Sequence, residues 1–107
     1  IDDFKPAGFR DDMGPIWENF CVIERLKYLQ SRQRRVRSYY WRNSDKREID
    51  LVEEEGSSIS AMEFKLGKKK MHKPIDFSRN YPHSDYTVVN PDNFISQLFS
   101  VSQQRLL

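Results

Sequence analysis

Two alternating runs meet at Gly56-Ser57, and that junction limits the folds open to this 107-residue chain more than any other feature. Arg47–Glu55 alternates around Ile49, Leu51 and Val52, and Ser58–Leu66 around Ile59, Ala61, Met62 and Phe64. A period of two residues is the mark of half-buried strands. Glycine at the first central position suits a two-residue type II′ turn. With Gly56 and Ser57 as that turn, Glu55 faces Ser58, and stepping outwards brings Asp50 directly opposite Glu63 on one face of the hairpin.

The remaining elements assemble around this hairpin. A helix is predicted from about Asp12, a plausible cap with Pro15 in its first turn, to about Ser31. Its apolar positions (Ile16, Trp17, Phe20, Cys21, Val22, Ile23, Leu26, Leu29) cover most of the circumference, so burial on more than one side is expected. Val36–Asn43, rich in Tyr and Trp, reads as a first strand. After Gly67 and a lysine run, a short helix begins near Pro74 and stops before Pro82. Asp85–Asn90 makes a fourth strand and Pro91–Phe99 a closing helix. Residues 1–11 read as a lead-in to one domain spanning 1–107.

Composition fits a modest core built largely on rings, since 37% of residues are hydrophobic, 32% charged and 13% aromatic. The single Cys21 excludes an internal disulfide or a multi-cysteine zinc site. No apolar stretch approaches the ~20 residues of a membrane span. The chain opens on Ile1 rather than Met, and it is expected to be a piece of a longer protein. The net charge of +2 conceals two acid-free basic blocks. One holds Arg25, Lys27, Arg32, Arg34, Arg35, Arg37 and Arg42; the other holds Lys65, Lys68, Lys69, Lys70 and Lys73. Such blocks serve either as solvated surface or as contacts to phosphate. Lys68, Lys69 and Lys70 follow the third strand directly, which places them near any site at its end.

Facing carboxylates repel each other on a sheet. Asp50 and Glu63 are therefore either solvated residues near a strand end or a pair kept for a cation. Lys65, two residues beyond Glu63, belongs to the same face. An oxygen-only donor set suits Mg²⁺ or Mn²⁺, and a lysine beside it can orient water or stabilise charge on phosphate. On the first helix Glu18 lies about 40° from Val22 and about 20° from Leu29, an apolar setting that is costly for a lone carboxylate. Either the helix dipole favours it there or it turns to the sheet and joins the pair. His72 and His83 read as loop histidines, and Cys21 as a buried inert thiol. Of Tyr39, Tyr40 and Trp41, at least one belongs to the core, and the others are free to stack on bases.

A helix acid, an aspartate on the second strand and Glu63-x-Lys65 on the third resemble the PD-(D/E)xK nuclease superfamily. Glu18-Asn19-Phe20, Tyr40-Trp41-Arg42, Glu48-Ile49-Asp50-Leu51-Val52 and Glu63-Phe64-Lys65 are similar to one branch of it. That branch is the C-terminal domain of unknown function that follows the ATPase module of many prokaryotic AAA+ proteins, and the likeness covers roughly residues 12–95. The resemblance implies an α/β restriction-endonuclease-like core in the order α-β-β-β-α-β(-α), with a mixed sheet around a central hairpin. It implies Asp50 and Glu63 as ligands of Mg²⁺ or Mn²⁺, Lys65 as the catalytic lysine and Glu18 as the helix acid. DNA is the implied substrate, with Arg34, Arg35, Lys68, Lys69 and Lys70 on its backbone. Ile49 stands where the superfamily motif has proline. The implied setting is cytoplasmic, with no membrane and with oligomers open. ATP would bind only a preceding ATPase domain, because this chain has no G-x-x-x-x-G-K-[ST]. The other reading is a catalytically silent module that binds nucleic acid or protein for the ATPase.

Overall fold

A computed structural model describes residues 13–67 and 69–99; the expected cap Asp12 and Lys68 lie outside them. The elements are α1 (Met13–Ser31), β1 (Arg37–Arg42), β2 (Glu48–Glu55), β3 (Ser58–Phe64), α2 (Ile75–Asn80), β4 (Asp85–Val89) and α3 (Phe94–Leu98). This is the predicted order. The sheet runs β1-β2-β3-β4, with antiparallel pairing up to β3 and β4 parallel to β3. A parallel neighbour requires a crossover, and residues 65–84 with α2 supply it.

The hairpin forms as its turn chemistry dictates. Gly56 takes φ +61, the left-handed value a type II′ turn demands at its first central residue. Glu55 pairs with Ser58, and the register continues outwards to Leu51↔Met62. Regular alternation stops there. Tyr39 pairs with Val52 but Trp41 pairs with Ile49, so Tyr40 alone faces Asp50 and Leu51. That two-against-one count is a β-bulge, which bends the strand and re-aims side chains. In consequence Ile49 and Val52, three residues apart, share one core cluster while Leu51 belongs to the other.

The two clusters occupy the two faces of the sheet. On one, Leu51, Met62, Phe64 and Val89 pack with Cys21 of α1 and Leu98 of α3. On the other, Ile49, Val52 and Ala61 pack with Phe77 of α2, ringed by Tyr39, Trp41, Tyr81 and Tyr86. Trp41 meets Phe77 edge-on with centroids 5.4 Å apart, so Trp41 is a core ring and Tyr40, 54% exposed, is the outward one.

α1 buries less than its composition predicts. Cys21, Arg25 and Leu29, at helical spacing, form its buried spine. Ile16, Phe20, Ile23 and Leu26 stay exposed, each by 41% or more. The inward arginine is held by Glu53 of β2. Arg25 Nε and Nη2 donate to the two carboxylate oxygens at 2.7 and 2.9 Å, and Nη1 donates to the Leu98 carbonyl at 2.6 Å. One guanidinium thus ties α1 to β2 and α3, which sets the height of Glu18 over the sheet. Among the described residues no helix is long and apolar enough to cross a membrane.

Candidate functional site

The bulge delivers Asp50 to the end of the β2–β3 ladder, where regular pairing gives out. The Phe64 N–H there donates to Asp50 Oδ2 at 2.8 Å, so a side chain does the work of a backbone acceptor. Burial raises the Asp50 carboxyl to about 6, and the carboxylates of Glu18 and Glu63 push the same way; the Phe64 N–H and the Lys65 ammonium pull against them. The three other residues singled out by the sequence therefore all act on Asp50. Glu18 and Lys65 are half-buried, and the Lys65 backbone is fixed by its N–H donating to the Val89 carbonyl at 2.9 Å. Cys21 sits beneath: burial first, then the Asp50 charge, push its thiol up to about 12. It is the inert core thiol expected.

Glu63 has a different environment. Strand alternation turns it away from Met62 and Phe64 toward the face of Ala61 and Tyr86. It is 2% exposed. Its Oε2 accepts from Arg47 Nη1 at 2.8 Å and from the Tyr86 hydroxyl at 3.2 Å. Burial, ahead of the Glu63 charge, pushes the Tyr86 hydroxyl up to about 12, so it remains a donor. The sequence reading sets Asp50 and Glu63 squarely opposite each other. The structure ends the pairs at Leu51↔Met62 and brings the two carboxylates into electrostatic range from a bulge and a regular strand. Among the described residues no three His, Cys, Asp or Glu side chains are grouped to hold a metal ion.

Arg47 and Tyr86 are the residues that sequence reasoning misses. Arg47 reads as the polar start of a strand, and nothing local points it at Glu63, sixteen positions away. Tyr86 reaches Glu63 only because β4 is parallel to β3 in the register Ala61↔Tyr86 and Glu63↔Val88.

The basic blocks divide in two. Arg34 spends its guanidinium on Glu55 at 2.8 and 3.3 Å, and Lys73 donates to the Ser84 carbonyl at 2.7 Å. Arg35, Lys69 and Lys70 stand in solvent, and so does His72 at the end of the lysine run. A cavity of about 580 Å³ lies at the hairpin end of the sheet, where Arg25 and Arg34 are paired with Glu53 and Glu55. It contains none of Glu18, Asp50, Glu63 or Lys65.

A family model described as "Domain of unknown function (DUF4143)" matches residues 13–100, from the first described residue of α1 past the end of α3. The chain belongs to this family. No curated protein and no solved structure matches it. In this DUF4143 domain the matched span takes in the whole sheet and every one of the residues grouped around Asp50.

Proposed function

We infer that this DUF4143 domain is a PD-(D/E)xK-type nuclease module of an AAA+ ATPase, acting on DNA phosphodiesters with Mg²⁺ or Mn²⁺ at Asp50 and Glu63. The carrying observation is the Asp50 carboxyl, raised to about 6 by burial and by Glu18 and Glu63, with Lys65 opposing. Carboxylates held within electrostatic range of one another and partly or fully buried are costly to a fold without a cation, and acids with raised pKa beside a lysine mark sites of chemistry. The donor set fits Mg²⁺, which commonly uses one or two carboxylates and completes its shell with water and substrate phosphate. A three-carboxylate cage is not required.

A bound divalent ion supplies Lewis-acid polarisation of the phosphoryl oxygen and a water of lowered pKa. The chain's own residues do the rest. Asp50 and Glu63 would offer their oxygens, and Glu18, from α1, would complete the ion's shell directly or through water. Lys65 steadies negative charge on the phosphate or orients the attacking water. Lys69 and Lys70, exposed in the segment that follows β3, hold the DNA backbone; Arg35 stands exposed at the hairpin end of the sheet, the far end from Asp50. Tyr40, the outward ring of β1, is available for stacking on an unpaired base. The ATPase, in the same polypeptide and acting in the cytoplasm, would deliver the DNA.

The experiment is cleavage of labelled single-stranded, duplex and branched DNA by the intact protein with Mn²⁺. Cleavage that disappears in Asp50→Asn and Lys65→Ala supports the reading; uncut DNA in every form rejects it.

A second reading has its own observation. Arg47 already neutralises Glu63 at 2.8 Å, as it would in a silent module that keeps its acids for structure and only binds nucleic acid or protein. DNA binding that is insensitive to both metal and Asp50→Asn favours that reading.

A further inference from the structure

Strand alternation sends Tyr39 and Trp41 to the α2 side of the sheet, where they ring the cluster around Phe77. Ser38, Tyr40 and Arg42 therefore face the side of α1, and all three are exposed, because α1 packs over β2 and β3 rather than β1. Tyr40 is the residue set against the bulge at Asp50 and Leu51. Its hydroxyl donates to Glu48 and lies in electrostatic range of Asp50, so an open ring stands beside the candidate site. Arg42 is held lightly. Among the described residues its guanidinium has one acid, Glu48, with Nε 4.0 Å from Oε2 and both side chains about half exposed. Glu48 thus stands between ring and guanidinium. β1 is also an end strand. The Asn43 N–H donates to the Arg47 carbonyl at 3.0 Å, which turns the backbone groups of Tyr39 and Trp41 inward to β2 and those of Ser38, Tyr40 and Arg42 outward.

We propose that the uncovered face of β1 is a track for single-stranded DNA, on which Tyr40 stacks against an unpaired base and Arg42 takes the neighbouring phosphate. This rests on the reading given above in which the domain acts on DNA, and it adds which form of DNA. Three features support it. A ring 54% exposed between a serine and an arginine serves no core, and any base offers it a flat face to stack on. Tyr40 and Arg42 share that face about 7 Å apart along the strand, and their outward N–H groups add donors for phosphate oxygens. A strand that follows β1 toward Arg42 arrives at the end of the sheet that holds Asp50 and Lys65. A duplex keeps its bases stacked inside, so only an unpaired base reaches the ring. Charge speaks against a second copy on the same edge: laid antiparallel on β1, it brings Arg37 of one copy against Arg42 of the other.

The test is fluorescence anisotropy of the whole protein with a labelled oligothymidylate and with a duplex of the same length, in EDTA so that binding is read without cleavage. The wild type is expected to bind the single strand at least about tenfold tighter than the duplex. Tyr40→Ala is expected to weaken single-strand binding by about 5- to 150-fold and to leave duplex binding unchanged. Tyr40→Phe keeps the ring and should stay near wild type. An oligomer of abasic sites should erase the difference between wild type and Tyr40→Ala, which a merely structural role for Tyr40 would not do. Arg42→Ala should lower the single-strand salt slope by about 0.7, for one phosphate contact. Equal affinity for the two forms, no binding of either, an unchanged slope in Arg42→Ala, or Tyr40→Ala indistinguishable from wild type overturns the proposal. Single-strand binding by a protein that cuts nothing removes the nuclease reading and leaves the track standing. Cleavage indifferent to strand form and to Tyr40→Ala removes the track alone.

Discussion

Replacing Asp50 by asparagine should make the protein more stable at neutral pH while removing the site's central acid. The Asp50 carboxyl moves from 3.8 in the unfolded chain to about 6 in the fold, because burial and the Glu18 and Glu63 charges disfavour its ionised form. A displacement of about two pH units corresponds to about 3 kcal/mol between the two protonation states. Partial exposure and screening reduce this to about 1–2 kcal/mol. The folded state holds the proton more tightly than the unfolded one. Its contribution to stability is therefore complete below about pH 4 and is lost as pH rises through about 6. Asparagine keeps an oxygen for the Phe64 N–H and carries no charge. Urea unfolding of both proteins at several pH values isolates the effect, since every other titrating group is common to the two. Asp50→Asn should match the wild type near pH 4 and exceed it by about 1–2 kcal/mol at pH 8. A stability gap that stays constant with pH, or a variant weaker than the wild type at pH 8, refutes the picture of a carboxylate held against its preference.

Further outcomes follow from the charged side chains. Glu53→Gln leaves Arg25 charged and 4% exposed without its counter-charge and with one of its three hydrogen bonds lost. A loss of about 3–5 kcal/mol in urea unfolding is expected, much of it recovered when Arg25→Met is added. The double substitution Lys69→Ala/Lys70→Ala should weaken DNA binding and lower its salt slope by about 2, one for each phosphate contact. Arg34→Ala should lower stability and leave DNA binding unchanged, because Nε and Nη2 of its guanidinium are committed to Glu55.

What the sequence discloses here is what local chemistry decides. Gly56-Ser57 sets a turn, the turn sets a register, and the register is right as far as Leu51↔Met62. Pro74 and Pro82 flank α2 and Pro91 follows β4, and since a helix interior does not accept proline the position of α2 follows. The bulge at Asp50 escapes because Ile49, Leu51 and Val52 are all apolar: a phase slip inside an apolar run leaves no visible break in alternation. It is nevertheless the feature that separates Asp50 from a simple face-to-face pairing with Glu63. The arginines mislead for another reason. Arg25 and Arg34 sit in a block that reads as surface charge, but their acids lie 28 and 21 positions away on β2, a distance no local pattern spans. Arg47 and Tyr86 are hidden likewise, one by a turn and the other by a parallel register. The apolar circumference of α1 suggests burial on several sides, and the structure leaves Ile16, Phe20 and Ile23 in solvent.

The central claim is that Asp50 and Glu63, in range of Glu18 and Lys65, form one divalent-cation site. Counting Mn²⁺ bound per chain by electron paramagnetic resonance tests it most directly, with the wild type, Asp50→Asn, Glu63→Gln and Asp85→Asn compared under one buffer. Asp85, an exposed acid at the other end of the sheet, is the control. The account predicts one Mn²⁺ per chain in the wild type and in Asp85→Asn, and none in the other two. Equal binding by all four proteins, or by none, contradicts it.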